Sequence, residues 1–267
     1  YSIITPILNG EAYIEKYLES LNNQIFENWE CLIIDDGSND KSLEIISKNS
    51  KNDCRFKILK TPKIKKIVRS PYLARNQGLL FARGKYICFL DIDDYWLPSK
   101  LKDEYELIKK NKNISILIGE YFKADKNLNK GYLKPRINFL PIKMQIKIWN
   151  PCPMLSTTIR RKDLGNIQFD PIFHDDYKFW HEVLSKISND SIHINHYCNC
   201  IYRTTINSQS ANKIKAPRWL FKCYQSFNYS LIKSLLFLLI KIIAEIVEHI
   251  FVKVGILEIK NLKTKAI

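Results

Sequence analysis

Short apolar runs alternate with segments of helical period through the first half of this chain, and that alternation restricts the fold more than any other feature. "YSIITPIL" (1–8) gives way to "GEAYIEKYLESLNNQ", where Ile14, Leu18 and Leu21 recur at helical spacing. "ECLIIDDGS" (30–38) reads as a buried strand ending in acids, followed by a helix at "DKSLEIISKNS". "FKILKT" is a third strand, and "PYLARNQGLLFARG" a helix with Gly84 expected as its C-cap. "KYICFLDIDD" is a strand, "PSKLKDEYELIKKN" a helix opened by proline, and "ISILIG" a further strand. Strand, helix, strand repeated in this way implies parallel pairing through right-handed crossovers.

The second half, from about Tyr121, is less regular. Loops are expected at "KADKNLNKG" and "NPCP", a helix at "DDYKFWHEVLSKI", and short strands near "SIHINHYCNCIYR". From about Pro217 to Val254 the pattern is helical. With 267 residues, 46% of them hydrophobic, the chain can bury one large core with an appendage.

A formal charge of +15 asks for an anionic partner. Nucleic acid is not expected, because the basic residues are dispersed and no zinc-finger or RNA-binding signature occurs. Seven cysteines without a C-x-x-C pair fit a reducing compartment and give no zinc site. His174, His181, His193 and His196 lack metal-ligand spacing and read as structural or surface residues. No signal-peptide pattern is present, and Tyr1 already lies within a strand pattern, so the true first residues are expected to be missing.

In an open parallel sheet, ligands bind beyond the carboxyl ends of the strands. "PILN" (6–9), "DDGS" (35–38) and "DIDD" (91–94) each follow a different strand, so all three land on one edge. Asp91, Asp93 and Asp94 repel one another there; such a cluster persists either as a solvated helix cap or around a cation. The chain has neither G-x-x-x-x-G-K-[ST] nor G-x-G-x-x-G to cradle phosphates. A divalent ion, Mg²⁺ or Mn²⁺, on the carboxylates would neutralise a diphosphate instead. A second acidic pair, in "HDDYKFW" (174–180), opens a helix, where carboxylates also serve as ordinary dipole-stabilising caps.

"SIITPILN", "LIIDDGSND", "LARNQGLLFARGKYICFLDIDD" and "HDDYKFW" together resemble glycosyltransferase family 2, inverting enzymes of the GT-A fold, over roughly residues 1–210. "NPCPMLSTTIRR" and "YRTTINSQS" look most like the bacterial cell-surface polysaccharide transferases of teichuronic-acid type. The resemblance implies an α/β fold with a GT-A type, Rossmann-like, mostly parallel sheet flanked by helices and a C-terminal helical extension. Residues 1–120 would form the nucleotide-sugar half, 121–215 the acceptor half, and 216–267 the extension. Pro6, Ile7, Leu8, Asn9 and Asp36 would line the nucleotide base, with Arg75, Asp91 and Ile92 nearby. Leu8 stands where the family usually has an aromatic residue. Asp93, with Asp91, would ligate the metal. Asp176 would be the general base, with Asp175 and Trp180 on the acceptor side; Trp180 alternatively packs in the core.

The implied activity is metal-dependent, inverting transfer from a nucleotide-diphosphate sugar, by preference a UDP-sugar, to a glycan or lipid-linked hydroxyl. Two rivals are a nucleotidyltransferase on a similar sheet and a non-catalytic basic protein that binds nucleic acid or membrane. In "SLIKSLLFLLIKIIAEIVEHIFVKV" (230–254), Lys241, Glu245 and Glu248 interrupt the apolar run. No uncharged stretch therefore reaches the ~18–20 residues of a spanning helix. The three charges share one side, which leaves a wide apolar face for the catalytic domain, a homodimer partner or an anionic membrane. The expected location is cytoplasmic, at the inner face of the cell membrane.

Overall fold

A computed structural model describes residues 1–62, 70–136, 140–204, 215–254 and 260–261. Its first half follows the predicted alternation: β1 (Ser2–Ile7), α1 (Ile14–Asn22), β2 (Glu30–Asp35), α2 (Ser42–Ser50), β3 (Phe56–Lys60), α3 (Tyr72–Phe81), β4 (Tyr86–Phe89), β5 (Tyr95–Trp96) and α4 (Lys100–Lys110). The second half adds β6 (Ile116–Ala124), β7 (Lys130–Leu133), α5 (Ile142–Gln145), β8 (Thr157–Arg160), α6 (Asp175–Lys186), β9 (Ile192–Arg203), α7 (Lys215–Ser226), α8 (Leu231–Lys253) and β10 (Lys260–Asn261). All ten strands join one sheet, whose main path runs β10-β7-β6-β8-β4-β1-β2-β3.

β1, β2, β3 and β4 pair in parallel, and the chain reverses direction of growth at β1, which lies between β2 and β4. This topological switch point opens a crevice beyond the strand ends. β1, β2 and β4 are largely apolar because both their faces are covered, whereas the edge strand β3 alternates apolar residues with lysines and is partly exposed. Ile4, Leu32, Ile34, Ile87 and Phe89 point to the α3 and α6 side, while Ile3, Ile7, Cys31, Ile33, Cys88 and Leu90 point to the α1 and α4 side.

Three readings of the sequence need correction: the Gly84 cap, the short strands near "SIHINHYCNCIYR" and the single C-terminal helix. Gly84 does not cap α3, which ends at Phe81. A Cβ on Gly84 would lie 2.5 Å from the Ser2 backbone nitrogen, so the glycine is required for the chain to pass against β1. The expected "KADKNLNKG" loop is present, as the tip of the β6–β7 hairpin. β8, within the segment after "NPCP", is antiparallel to both β4 and β6, which leaves the sheet mostly rather than wholly parallel, as expected. The "SIHINHYCNCIYR" region is one twelve-residue strand with register shifts, and the C-terminal helix is two helices, broken at Asn228 in the left-handed region (φ 58°).

The division at residue 120 falls inside β6, so the two expected halves share one sheet. Residues 205–214, with most of "YRTTINSQS", lie outside the described residues.

Candidate active site

The ends of β1 and β2 are in register, Ile7 beside Asp35, and their loops are tied together. Asn9, with φ 54°, receives the Asn39 N–H on Oδ1 at 2.8 Å, and its own N–H donates to Ser38 Oγ at 3.1 Å. Asp35 is buried and accepts the Ser38 N–H, while Asp36 donates its N–H to the Ile7 carbonyl. Ile7 turns its side chain into the core, so it can offer a nucleotide only backbone; Leu8 stands 55% exposed at the mouth. Ile92 packs over Gly10.

The decisive side chain is Arg75. A Cβ on Gly78 would fall 2.4 Å from Ile4, so α3 presses closely on β1 at that glycine. Arg75, three residues earlier on the same face, is thereby driven into the crevice and buried. Its Nη2 donates to both oxygens of Asp91 at 3.1 and 3.2 Å, and its Nη1 to both oxygens of Asp175 at 3.3 and 3.2 Å. Burial works against its charge, yet Asp91, Asp175 and Asp176 hold its pKa above the ordinary guanidinium value. One cation thus bridges the strand-end acids and the acids that open α6, across 100 residues of sequence.

Asp93 and Asp94 are held by Arg203 at the end of β9. The Arg203 N–H donates to Asp94 Oδ1 at 3.1 Å, and its Nε to the Asp93 carbonyl at 2.7 Å. Among the described residues, no side chain donates a hydrogen bond to the Asp93 carboxylate. Burial, and then the charge of Asp91, push its pKa up to about 6. Burial, with Asp93 and Asp91, drives Asp94 well above the carboxylate range. A group of oxygen donors whose ionisation is this costly fits a hard divalent cation, which favours the charged forms. No group of three or more His, Cys, Asp or Glu able to hold a metal occurs among the described residues, so phosphate oxygens would have to complete the shell.

His174, in the left-handed region (φ 58°), turns the chain into α6 and separates the two acids that follow. Asp175 points inward to Arg75; burial and the neighbouring Asp176 and Asp91 raise its pKa to about 6 against the pull of Arg75. Asp176 points outward and accepts the Asn150 Nδ2–H on Oδ2 at 3.0 Å, with Oδ1 given no donor among the described residues.

The sequence pattern of the family described as Glycosyl transferase family 2 matches residues 2–210. The chain belongs to that family. It is 33% identical over 226 residues to an uncharacterized glycosyltransferase of Haemophilus influenzae, covering 84% of this chain and 86% of the relative. It is 29% identical over 254 residues to the UDP-Glc:alpha-D-GlcNAc-diphosphoundecaprenol beta-1,3-glucosyltransferase WfgD of Escherichia coli, covering 94% and 95%. In fold it matches S. aureus TarS in complex with UDP-GlcNAc, with a TM-score of 0.63 and 20% identity over 83% of this chain and 63% of that one. This chain therefore spans less than two thirds of that TarS chain.

In this glycosyltransferase, the expected donor-side and metal residues Pro6 to Asn9, Asp36 and Asp91 to Asp93 converge on one sheet edge. Arg75 brings Asp175 to the same crevice. Trp180 does not join them. It is fully buried, packs edge-on to Phe89 and Phe179, and donates its Nε1–H to Met154 Sδ, so it is a core residue rather than an acceptor platform. Sequence reasoning missed Asn150 and Arg203. Asn150 lies in "NPCPMLSTTIRR" and Arg203 in "YRTTINSQS", both quoted for their resemblance but given no role.

Proposed function

We propose that the chain catalyses inverting transfer of a sugar from a nucleotide-diphosphate sugar, by preference a UDP-sugar, to a hydroxyl of a lipid-linked glycan in cell-surface polysaccharide synthesis. The observation that carries this reading is the Arg75 bridge, which sets the donor-side acids and the α6 acids on opposite sides of one crevice. Pro6 to Asn9 and Asp36 would hold the nucleoside, and Asp91 and Asp93 would hold Mg²⁺ or Mn²⁺ with the diphosphate. The ion would offset negative charge on the departing nucleoside diphosphate. Arg75 fixes Asp91 and keeps Asp175 turned away from the acceptor. Asp176, oriented by Asn150, takes the proton of the attacking hydroxyl on Oδ1. As the new bond to the anomeric carbon forms, the bond from that carbon to the diphosphate oxygen breaks on the opposite face. The configuration inverts without a covalent intermediate.

The lipid surface is part of the proposal. No helix among the described residues is long and apolar enough to cross a membrane. α8 instead turns its charged side inward: Glu248 accepts from Tyr132 at 2.9 Å and pairs with Lys134 and Lys123 of the β6–β7 hairpin. At ~100° per residue, Leu235, Leu239, Ile242, Ile243, Ile246 and Ile250 form an outward arc with no acid in it, and all six are exposed. That face suits an in-plane helix on an anionic bilayer, favoured by the net charge of +15. The diphosphoundecaprenol-linked acceptor in the name of the E. coli relative agrees with it.

A screen of nucleotide-sugars for thermal stabilisation with and without Mn²⁺ tests the core of the reading. Stabilisation by one donor that needs both Mn²⁺ and Asp93 is expected. No stabilisation by any donor would overturn it.

A further inference from the structure

A cavity of about 340 Å³ lies between β6, the Trp149–Pro153 segment and the inward side of α8. That volume is within the ~300–1,000 Å³ of ordinary small-molecule sites. Charge does not select its occupant, because the charged side chains around it are spent on one another. Lys134 pairs with Glu248, Lys241 with Glu245 at 3.2 Å, and Glu120 with His196 at 3.0 Å. Arg136 keeps its Nε and Nη2 shut off from the open space. The Trp149 Nε1–H is also engaged, by Gln145 Oε1 at 3.3 Å. What remains is apolar. Tyr121, Trp149, Pro151 and Pro153 form the wall on the sheet side, and Ala244, Val247 and Phe251 the wall on α8. A cavity whose polar groups are already satisfied offers little to water and suits a hydrocarbon.

The two flanks of α8 show how such a chain would enter. At ~100° per residue, Ile243, Val247 and Phe251 step from the outward arc round one flank toward Ala244, and each is apolar. Val247 and Phe251 both line the cavity and stand 40% and 39% exposed, so one apolar surface runs without a break from the outside of the helix into the cavity. The opposite flank carries Lys241 and Glu245 and is closed to hydrocarbon by their ion pair. Asn150, also in the wall, donates to Asp176, which ties the cavity to the segment that orients the candidate base. We infer that this cavity seats the isoprenoid chain of a lipid-linked acceptor, admitted from the outward face of α8 over Val247 and Phe251. The site rests on the proposed transfer reaction for its meaning, although hydrocarbon binding can be measured without it. Rings and prolines make the sheet-side wall stiff, and a stiff wall distinguishes a methyl-branched chain from a straight one.

Calorimetric titration with farnesol, in lipid-free buffer without metal or donor, tests the site directly. Farnesol should bind the wild-type chain, and bind Ala244→Phe, which fills the cavity, at least about tenfold more weakly. Should Ala244→Phe melt lower than the wild type, Val247→Asp, which sets a charge at the exposed entrance, takes its place with the same loss expected. No binding by the wild type, or equal binding by the folded variant, overturns the site. Dodecanol, which lacks the methyl branches, should bind at least about tenfold more weakly than farnesol. Equal affinity would assign the cavity to a straight acyl chain of the bilayer and overturn the isoprenoid assignment. Sedimentation with anionic vesicles should be the same for Ala244→Phe and the wild type, because Ala244 lies off the outward arc; a clear fall would trace the farnesol effect to a displaced helix and also overturn the site. UDP binding with Mn²⁺, measured on the same preparations, reports separately on the transfer reading: its absence from the wild type would sink that reading while farnesol binding stood.

Discussion

Asp93→Asn should stabilise the metal-free protein at neutral pH, an unusual sign for a change in a candidate catalytic crevice. In the folded chain the Asp93 pKa stands at about 6 against an ordinary 3.8, because burial and Asp91 disfavour its charge. Below about pH 4 the carboxyl is protonated in the folded and unfolded states alike, and nothing is lost. Between there and pH 6 the folded state holds a proton that the unfolded state has released, so stability falls as pH rises. Above pH 6 the loss is complete. At about 1.4 kcal/mol for each factor of ten in the proton equilibrium, it comes to about 3 kcal/mol. That figure is an upper bound, since Asp93 is only half-buried and water screens part of the repulsion. For a chain of this size a kcal/mol moves the melting point by about 2 °C. Metal-free Asp93→Asn should thus melt up to about 6 °C above the wild type at pH 7.5, and the two curves should converge near pH 4. Mn²⁺ with UDP should reverse the order by raising only the wild type. Scanning calorimetry in EDTA, then in Mn²⁺ and UDP, measures both effects. A variant less stable than the wild type at pH 7.5, or a difference independent of pH, would refute the reasoning.

Three other outcomes follow from named contacts. Asp176→Asn should lower transfer by about 10²–10⁴-fold while donor and metal affinity stay within a few-fold; steady-state turnover and UDP titration separate the two, and loss of donor binding would move Asp176 to the metal site. Leu239→Glu with Ile243→Glu, both on the outward arc of α8, should reduce sedimentation with anionic vesicles by at least tenfold, since burying each native side chain contributes about 1.5–3 kcal/mol; unchanged vesicle binding together with loss of a dimer in ultracentrifugation would assign the face to a second copy instead. Gly84→Ala should cost about 1–3 kcal/mol by overpacking against Ser2, read as a lower denaturant midpoint with unchanged slope; a neutral effect would show that the loop yields.

The strand ends that build the candidate site were legible because β1, β2 and β4 are covered on both faces. Their sequences are largely apolar runs that stop where Asn9, Asp36 and Asp91 approach solvent. β8 was not legible as a pairing partner: Thr157–Arg160 is short and mixed, and its antiparallel place between β4 and β6 depends on contacts more than 35 residues away in sequence. Gly84 shows how one residue type serves two ends. A glycine after a helical pattern signals a C-cap, but close backbone approach calls for the same residue. Arg75 was placed near the nucleotide by resemblance, while its second partner, Asp175, depends on a contact that no local pattern encodes. Trp180 followed the acidic pair by one turn, and a period of 3.6 cannot distinguish a ring that faces the crevice from one that faces the core.

Periodicity also placed Lys241, Glu245 and Glu248 on one side of α8 without saying which way that side faces. A surface helix ordinarily buries its apolar side; α8 packs Phe237 and Leu238 on the core, but beyond them it does the opposite because Glu248 meets specific partners. Glu248 finds Lys134, Lys123 and Tyr132 on the hairpin, so the helix is docked by its polar side. The consequence is a row of leucines and isoleucines facing outward, unfavourable in water and stable once covered. With the proposed membrane cover, the inward side of the same helix becomes a cavity wall just above the bilayer surface. Asn150 lies in that wall and donates to Asp176. The inverted helix and the outward-facing carboxylate are thus physically compatible parts of one proposed acceptor path, and each can be removed without touching the other.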